Sequence, residues 1–210
     1  MVKNDVHRPL SYIERSWLSI DSASSPFVIQ MVLEGRGSLE VGRLAAAVEK
    51  VSELNHGTRL VLKGALRGSR WVDSGRPPRV RIVSGAAWDG YGPENAPFLR
   101  DRLPLGGPTT EVLWVEGPTP RIIFRANHGV MDGRAVMTWA EDVFRVMQGA
   151  PFLGTEWTTT DAAVMNRITQ QTRETYLDRA IAPTGEYRPD GQECIMWRRL
   201  TFQGTLPVLL

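Results

Sequence analysis

The sequence feature that most limits which folds this chain can adopt is a pair of predicted strands followed by an amphipathic helix. Residues Glu111 to Val115 and Arg121 to Asn127 are short apolar stretches, joined by a turn rich in glycine and proline. Arg134 to Gln148 follows with apolar residues at helical spacing, and Gly149 closes that helix. The pattern predicts an α/β mixture in which an antiparallel hairpin lies beside helices.

The earlier part of the chain carries the same mixture. Ser11 and Glu14 have the spacing of a capping box, which predicts a short helix carrying Trp17. A helix capped by Ser38 is predicted further on, and Gly57 is expected to end it in the left-handed conformation. The predicted strands of this part are Phe27 to Leu33, Thr58 to Lys63, Arg70 to Asp73 and Arg79 to Val83.

Two long stretches differ from the short strands and helices predicted so far. Residues 84–108 are rich in glycine and proline and are predicted to form an irregular connection. Near the end of the chain, the pattern predicts a helix from about Asp161 to Ala182, which stops at Pro183, and a strand from about Cys194 to Phe202. No internal repeat is visible.

Composition excludes several classes of protein. Among 210 residues, 42% are hydrophobic, and 25 basic side chains nearly balance 23 acidic ones. These values are typical of a globular domain and argue against nucleic acid as the main partner, which usually requires a basic stripe. Cys194 is the only cysteine, so no internal disulfide is expected. Apolar stretches fall far short of about 20 residues, so we expect a cytoplasmic protein without membrane partners.

The segment from Asn127 to Gly133 is the one place where the sequence points to chemistry. His128 follows a predicted strand, and an imidazole is the side chain best suited to take up a proton near neutral pH. Asp132 can brace the loop, and Gly133 permits a backbone conformation or a ligand approach that a side chain would block. The other interpretation is structural: a histidine at a strand end, followed by an ordinary turn.

The spacing His-x-x-x-Asp-Gly resembles the active-site motif of the chloramphenicol-acetyltransferase-like superfamily, which includes the condensation domains of nonribosomal peptide synthetases. Other stretches are similar to these domains along nearly the whole chain, although weakly. They are Pro9 to Tyr12 with Trp17, Val48 to Leu60, Pro104-Leu105, and Trp139 to Phe144. The resemblance implies an α+β two-layer sandwich, a mixed sheet flanked by helices, and a role in peptide assembly.

The resemblance also implies a reaction. The family transfers an acyl group from a thioester, on coenzyme A or on the phosphopantetheine arm of a carrier protein, to an amine or hydroxyl. His128 would be the general base, Asp132 the residue that orders the loop, and Gly133 the residue at the tunnel floor. Asn127 and Gly129 are further candidates for contact with substrate. No metal and no permanently bound cofactor are expected.

Two departures from the family pattern bear on this interpretation. Condensation domains usually have a second histidine immediately before the catalytic one, where this chain has Asn127. They are also about twice as long, with two similar halves that enclose the tunnel. Residues 1–183 are therefore interpreted as an N-terminal half-domain, and residues 184–210 as the crossover and first strand of a C-terminal half. A later Asp-Phe-Gly-Trp-type motif has no counterpart here.

Several alternatives stay open at the level of sequence. The second half can belong to the same gene, to a separate chain of a split enzyme, or to another copy of this chain. The expected partners are that half, a carrier protein, and a small or carrier-bound acceptor. The leading hypothesis is an acyltransferase. A catalytically silent module that recruits a carrier protein or partner enzyme, and a structural domain with an accidental motif, are the alternatives.

Overall fold

The computed structural model describes residues 7–23, 26–35, 39–65, 68–155, 159 and 163–167. The predicted strand at 194–202, the segment 184–210 and most of the helix predicted over 161–182 lie outside them, although residues 163–167 are helical. The elements described are β1 (His7–Pro9), α1 (Tyr12–Ala23), β2 (Val28–Glu34), α2 (Val41–Ser52), β3 (Leu60–Lys63), β4 (Arg70–Asp73), β5 (Arg79–Ser84), β6 (Thr110–Glu116), β7 (Arg121–Asn127) and α3 (Gly133–Met147).

The strands form two sheets. The larger has the order β2-β7-β6-β5, and the smaller has the order β1-β4-β3. All pairs are antiparallel except β5 and β6, which run parallel. Residues 84–108 connect these two parallel strands, and a short 3₁₀ helix, Pro97–Leu99, interrupts that connection. The expected α+β class, with mixed sheets flanked by helices, is confirmed.

Strand β7 lies at the centre of the larger sheet, and all seven of its residues are buried. Alternate side chains point to opposite faces of a strand, so β7 supplies two cores. Ile122, Phe124 and Ala126 pack under α2 and α3. Ile123 packs under the irregular connection, in the cluster of Trp88, Ala96, Phe98, Leu99, Leu113 and Val115. The sheet is therefore covered on both faces, by helices on one side and by residues 84–108 on the other.

A buried arginine fastens the irregular connection to the sheet. Arg125 is fully buried on β7 and pairs with the buried Glu111 of β6. It also donates hydrogen bonds to Gln30 Oε1 at 2.9 Å and to the carbonyl of Asp101 at 2.6 Å. Burial lowers the pKa of Arg125, and the nearby Glu111 carboxylate opposes that effect.

Two local expectations are wrong. The first residue of α2 is Val41, and Glu40 occupies the N-cap position that was predicted for Ser38, which lies outside the described residues. Gly57 does not end α2 in the left-handed conformation, because it sits within a 3₁₀ turn, His56–Arg59. Gly57 faces Met131, whose Cε would lie 3.4 Å from an added Cβ. In the described part of the chain, no helix is long and apolar enough to cross a membrane.

We predict that Glu111→Gln lowers the free energy of unfolding by about 3–5 kcal/mol, because it removes the carboxylate that pairs with the buried guanidinium of Arg125. Chemical denaturation measures this change. The matched control is Glu141→Gln, which removes the partly exposed pair with Arg145 one helical turn away and should change stability by less than about 1 kcal/mol. Equal effects of the two variants would contradict the structural role assigned to Arg125.

Candidate active site

The pairing of β2 with β7 determines where His128 lies. Val28 is opposite Asn127 at the end of the ladder, and the backbone N–H of His128 donates to the carbonyl of Phe27 at 2.9 Å. His128 therefore lies one residue beyond the sheet, fixed by a hydrogen bond of the sheet type. The structure places the imidazole at the end of a buried strand, as the sequence pattern predicted.

Two aromatic rings hold the imidazole of His128 between them. The Trp17 ring lies 4.4 Å away between centroids at 31°, and the Phe27 ring lies 4.7 Å away at 20°. The side chain is half-buried, and its Nδ1 atom is buried with no hydrogen-bond partner among the described residues. His128 lines the neighbouring cavity, and because Nδ1 is enclosed, Nε2 is the ring nitrogen left for chemistry there. Nothing in the sequence pointed to these two aromatic partners, which lie more than 100 residues away along the chain.

Asn127 shapes the loop that follows β7. Its side chain is buried, and its Oδ1 accepts a hydrogen bond from the backbone N–H of Gly129 at 2.9 Å. Gly129 is closely packed, because an added Cβ would lie 2.8 Å from Leu18 Cδ2 and 3.1 Å from Asn127 Oδ1 and would require Leu18 to shift. Gly129 lines the cavity, whereas Asn127 is not among its lining residues. Their contact with substrate stays a prediction.

Asp132 occupies the N-cap of α3. Its Oδ1 accepts a hydrogen bond from the backbone N–H of Ala135 at 2.8 Å, which satisfies one of the donors left over at a helix start. Within the described residues, no cation pairs with Asp132. The carboxylate of Asp132 therefore fixes the junction between the loop and α3. It makes no hydrogen bond or ion pair with His128.

Gly133 is the first residue of α3. Its backbone is not in the left-handed region, and an added Cβ would meet no atom within 4 Å. Nothing in the fold of the described residues therefore requires glycine at this position. Of the two reasons that the sequence offered, a tight backbone turn and a close ligand approach, only the second remains.

A surface cavity of about 320 Å³ contains these groups. Apolar side chains form much of its wall, together with the charged pair Arg8 and Glu14. The lining residues are Arg8, Ile13, Glu14, Trp17, Gly57, Leu60, His128, Gly129, Val130, Met131, Asp132, Ala135, Thr155 and Thr159. The polar or charged side chains among them are those of Arg8, Glu14, His128, Asp132, Thr155 and Thr159, so the wall combines apolar and polar groups.

The charged pair on the cavity wall is buried and internally compensated. The guanidinium of Arg8 donates to both carboxylate oxygens of Glu14, at 3.1 and 2.5 Å. Glu14 also completes the predicted capping box, since it accepts from the Ser11 N–H at 2.7 Å while Ser11 Oγ accepts from the Glu14 N–H at 3.1 Å. The capping box is thereby confirmed, whereas the partner Arg8 was not visible in the sequence. The pair ties β1 to the first turn of α1.

A second buried cluster positions Thr155 at the cavity wall. Asp142 is fully buried on α3 and accepts hydrogen bonds from Asn55 Nδ2 at 2.8 Å and from the backbone N–H groups of Leu153 and Gly154 at 2.8 and 2.9 Å. Thr155 in turn donates to Asn55 Oδ1 at 2.8 Å. These contacts hold the segment after α3 against the end of α2, which sequence reasoning did not anticipate.

The remaining titratable clusters lie outside this wall. His56 Nδ1 is 2.9 Å from Asp73, which also pairs with Arg59. Burial raises the pKa of Asp73, but hydrogen bonds from Arg59, from the N–H of Gly75 and from His56 outweigh it and lower the pKa. Among the residues with described positions, no group of three or more His, Cys, Asp or Glu side chains is arranged to hold a metal ion.

Comparison with solved structures identifies the fold. The condensation domain of Monacolin K polyketide synthase MokA matches with a TM-score of 0.60 at 14% identity, over 79% of this chain and 40% of that chain. This chain has the condensation-domain fold. The first condensation domain of the calcium-dependent antibiotic synthetase, in complex with a substrate analogue, matches with a TM-score of 0.59 at 12% identity, over 80% of this chain and 45% of that chain.

A third condensation-domain match is a variant of the starter condensation domain of rhizomide synthetase RzmA in complex with C8-CoA. It has a TM-score of 0.55 at 19% identity, over 69% of this chain and 37% of that chain. The chain thus spans less than half the length of the condensation domains that it matches, as expected for a half-domain. No protein-family model and no curated protein sequence matches the chain.

We predict that Asp132→Ala lowers the free energy of unfolding by about 1 kcal/mol, because α3 loses its N-cap. Asp132→Asn should change it by only a few tenths of a kcal/mol, since asparagine caps helices about as well as aspartate. Urea titration of both variants measures the difference. An Asp132→Asn variant as unstable as Asp132→Ala would show that the charge, and not the cap, is what this residue contributes.

Proposed function

We propose that this chain is the half of a condensation-type acyltransferase that carries the general base, and that His128 is this base. One observation carries the proposal: the His128 imidazole is clamped between Trp17 and Phe27 at the wall of a cavity, with Nδ1 buried. Such a clamp fixes the direction of Nε2 before any substrate arrives. Preorganisation of this kind is what a proton-accepting group requires.

In the proposed reaction, an amine or hydroxyl attacks the carbonyl carbon of an acyl thioester. Nε2 of His128 accepts the proton of the attacking group as the new carbon–nitrogen or carbon–oxygen bond forms. The tetrahedral intermediate then collapses, the carbon–sulfur bond breaks, and the thiolate takes up the proton. The thioester is on coenzyme A or on a carrier-protein phosphopantetheine arm. The RzmA structure with C8-CoA supports this substrate class.

The described wall suits a neutral acyl group. Trp17, Met131 and Ala135 are apolar, and the charges of Arg8 and Glu14 compensate each other. Asp132 keeps the loop in place from the helix side, and the open space at Gly133 leaves room for a substrate to approach the start of α3. The proposed chemistry uses no resident metal or cofactor.

A second half-domain, from the same gene or from a separate chain, would supply the rest of the enclosure. Ile13 lies on the cavity wall but is 49% exposed, so the rim of the cavity is open to solvent at this residue. The matched domains are more than twice as long as the stretch that they share with this chain. The proposed partners are therefore the second half-domain, a carrier protein and a small or carrier-bound acceptor.

The test uses the native assembly, purified through a tag on this chain and supplied with octanoyl-CoA, an octanoyl-loaded carrier protein and a panel of amines and alcohols. We predict that His128→Ala lowers the rate of acyl transfer by about 10²–10⁴-fold, the usual contribution of a general base. Mass spectrometry of the product measures the rate. The matched control is His7→Ala, which removes an exposed histidine on β1 outside the cavity wall.

Two outcomes contradict the proposal. Transfer that continues at an unchanged rate in His128→Ala would remove the base from the mechanism. An unaltered assembly that binds a carrier protein and transfers no acyl group to any acceptor would instead favour the catalytically silent recruitment module.

A further inference from the structure

We propose that Asp21 is a positioning residue for His128. Asp21 is buried near the end of α1, and no part of the motif at 128–133 includes it. The position of the His128 ring is a property of this chain alone. The effect of that position on catalysis rests on the proposed function.

The need for such a residue arises from the surroundings of the imidazole. A catalytic histidine is usually oriented by a hydrogen bond at its second ring nitrogen. In the described part of this chain, Nδ1 of His128 has no such bond, and the Trp17 and Phe27 rings lie on either side instead. The orientation of the imidazole therefore depends on whatever fixes these two rings and the chain on both sides of His128.

Asp21 contacts each of these segments. Its Oδ1 accepts a hydrogen bond from the backbone N–H of Phe27 at 2.7 Å, and its Oδ2 accepts one from Asn127 Nδ2 at 3.5 Å. Trp17 stands one turn earlier on the same helix. One carboxylate thus joins α1, the chain entering β2 and the chain leaving β7, which are the three segments that surround the imidazole.

The Asp21 carboxylate also favours one orientation of the Asn127 amide, the same one that the Gly129 contact requires. A carboxylate only accepts hydrogen bonds, so Asn127 must present Nδ2 to it. Its Oδ1 is then directed to the N–H of Gly129, at 2.9 Å. If Asp21 carried an amide, its single oxygen could not serve both Phe27 and Asn127, so one of the contacts with Phe27, Asn127 or Gly129 would face two donors toward each other. Both neighbours of His128 in the chain therefore depend on the acceptor character of one side chain.

The role of Asp21 can therefore be tested with two single variants and a double variant that should reverse their effects. Asp21→Asn should disturb the loop because two amides meet, and Asn127→Asp should disturb it because two buried carboxylates meet. The double variant D21N/N127D reverses the polarity of the bond: the amide at 21 donates to the carboxylate at 127, which still accepts from Gly129. The two single changes should thus be harmful and their combination harmless.

The readout is the NMR spectrum of the histidine rings in the full chain. The His128 ring protons lie against two aromatic faces and should be shifted by their ring currents; variants of His7 and His56 assign the other two rings. We expect each single variant to shift the His128 resonances and the double variant to restore them. In the active assembly, kcat should fall by about 10–100-fold in the single variants, as for other supporting residues, with KM little changed.

Arg102→Gln is the matched control. Arg102 is half exposed, lies 3.7 Å from Asp21 Oδ1 and donates a hydrogen bond to the backbone carbonyl of Asp21. Its replacement by glutamine removes the charge beside Asp21 and the guanidinium donor of this backbone contact, whereas the Asp21 carboxylate keeps its bonds to Phe27 and Asn127. The His128 resonances should not change in this variant.

The outcomes are decisive in each direction. Unchanged His128 resonances in Asp21→Asn, or a double variant that restores neither the resonances nor the fold, would overturn the proposal. If both single variants failed to fold and the double variant folded with the original resonances, the coupling would be established by rescue. Resonances that move and recover in an assembly without acyl transfer would keep Asp21 as the positioning residue and remove only the proposed function.

Discussion

The register between β2 and β7 is the constraint on which the candidate site depends. A slip of one residue would turn every side chain of a strand to the opposite face. Two polar cross-strand pairs oppose such a slip: Gln30 accepts from Arg125 at 2.9 Å, and Glu34 accepts from Arg121 at 2.8 Å. Both arginines are buried and each has one matching partner on β2, so the polar pairs specify the alignment. His128 meets Phe27 only in this register.

The chemistry follows from how the imidazole is held. Stacking between two aromatic rings fixes the plane of the His128 ring without a hydrogen bond at Nδ1 within the described residues. The motif carboxylate Asp132 acts at a distance, through the helix that it caps. The imidazole of His128 is therefore aligned by residues near the start of the chain, where α1 carries Trp17 and Asp21. The second half-domain proposed above would complete the cavity, whereas the contacts that orient the His128 imidazole lie within this chain.

Local patterns were enough to predict most elements of this fold. Short apolar stretches on either side of a turn placed β6 and β7 within about a residue of their bounds, helical spacing placed α3, and the Ser11–Glu14 pattern gave the capping box. The expectations for Ser38 and Gly57 were wrong because several residues in each stretch can end or begin a helix, and packing chooses among them. The parallel pairing of β5 with β6 could not be predicted, since it depends on how residues 84–108 fold back over the sheet.

The candidate site was predictable only where it is continuous in sequence. His128, Asp132 and Gly133 stand in one loop, whereas the Trp17 and Phe27 rings, the Asp21 carboxylate and the Arg8–Glu14 pair reach it through the tertiary fold. The most direct measurement of the central claim is chemical rescue. In the assembly carrying His128→Gly, free imidazole can occupy the slot between Trp17 and Phe27. Acyl transfer should rise with imidazole concentration and saturate, well above the protein-free rate. A rate that only follows solution catalysis by imidazole, or a variant that needs no rescue, would contradict the claim that this slot holds the base.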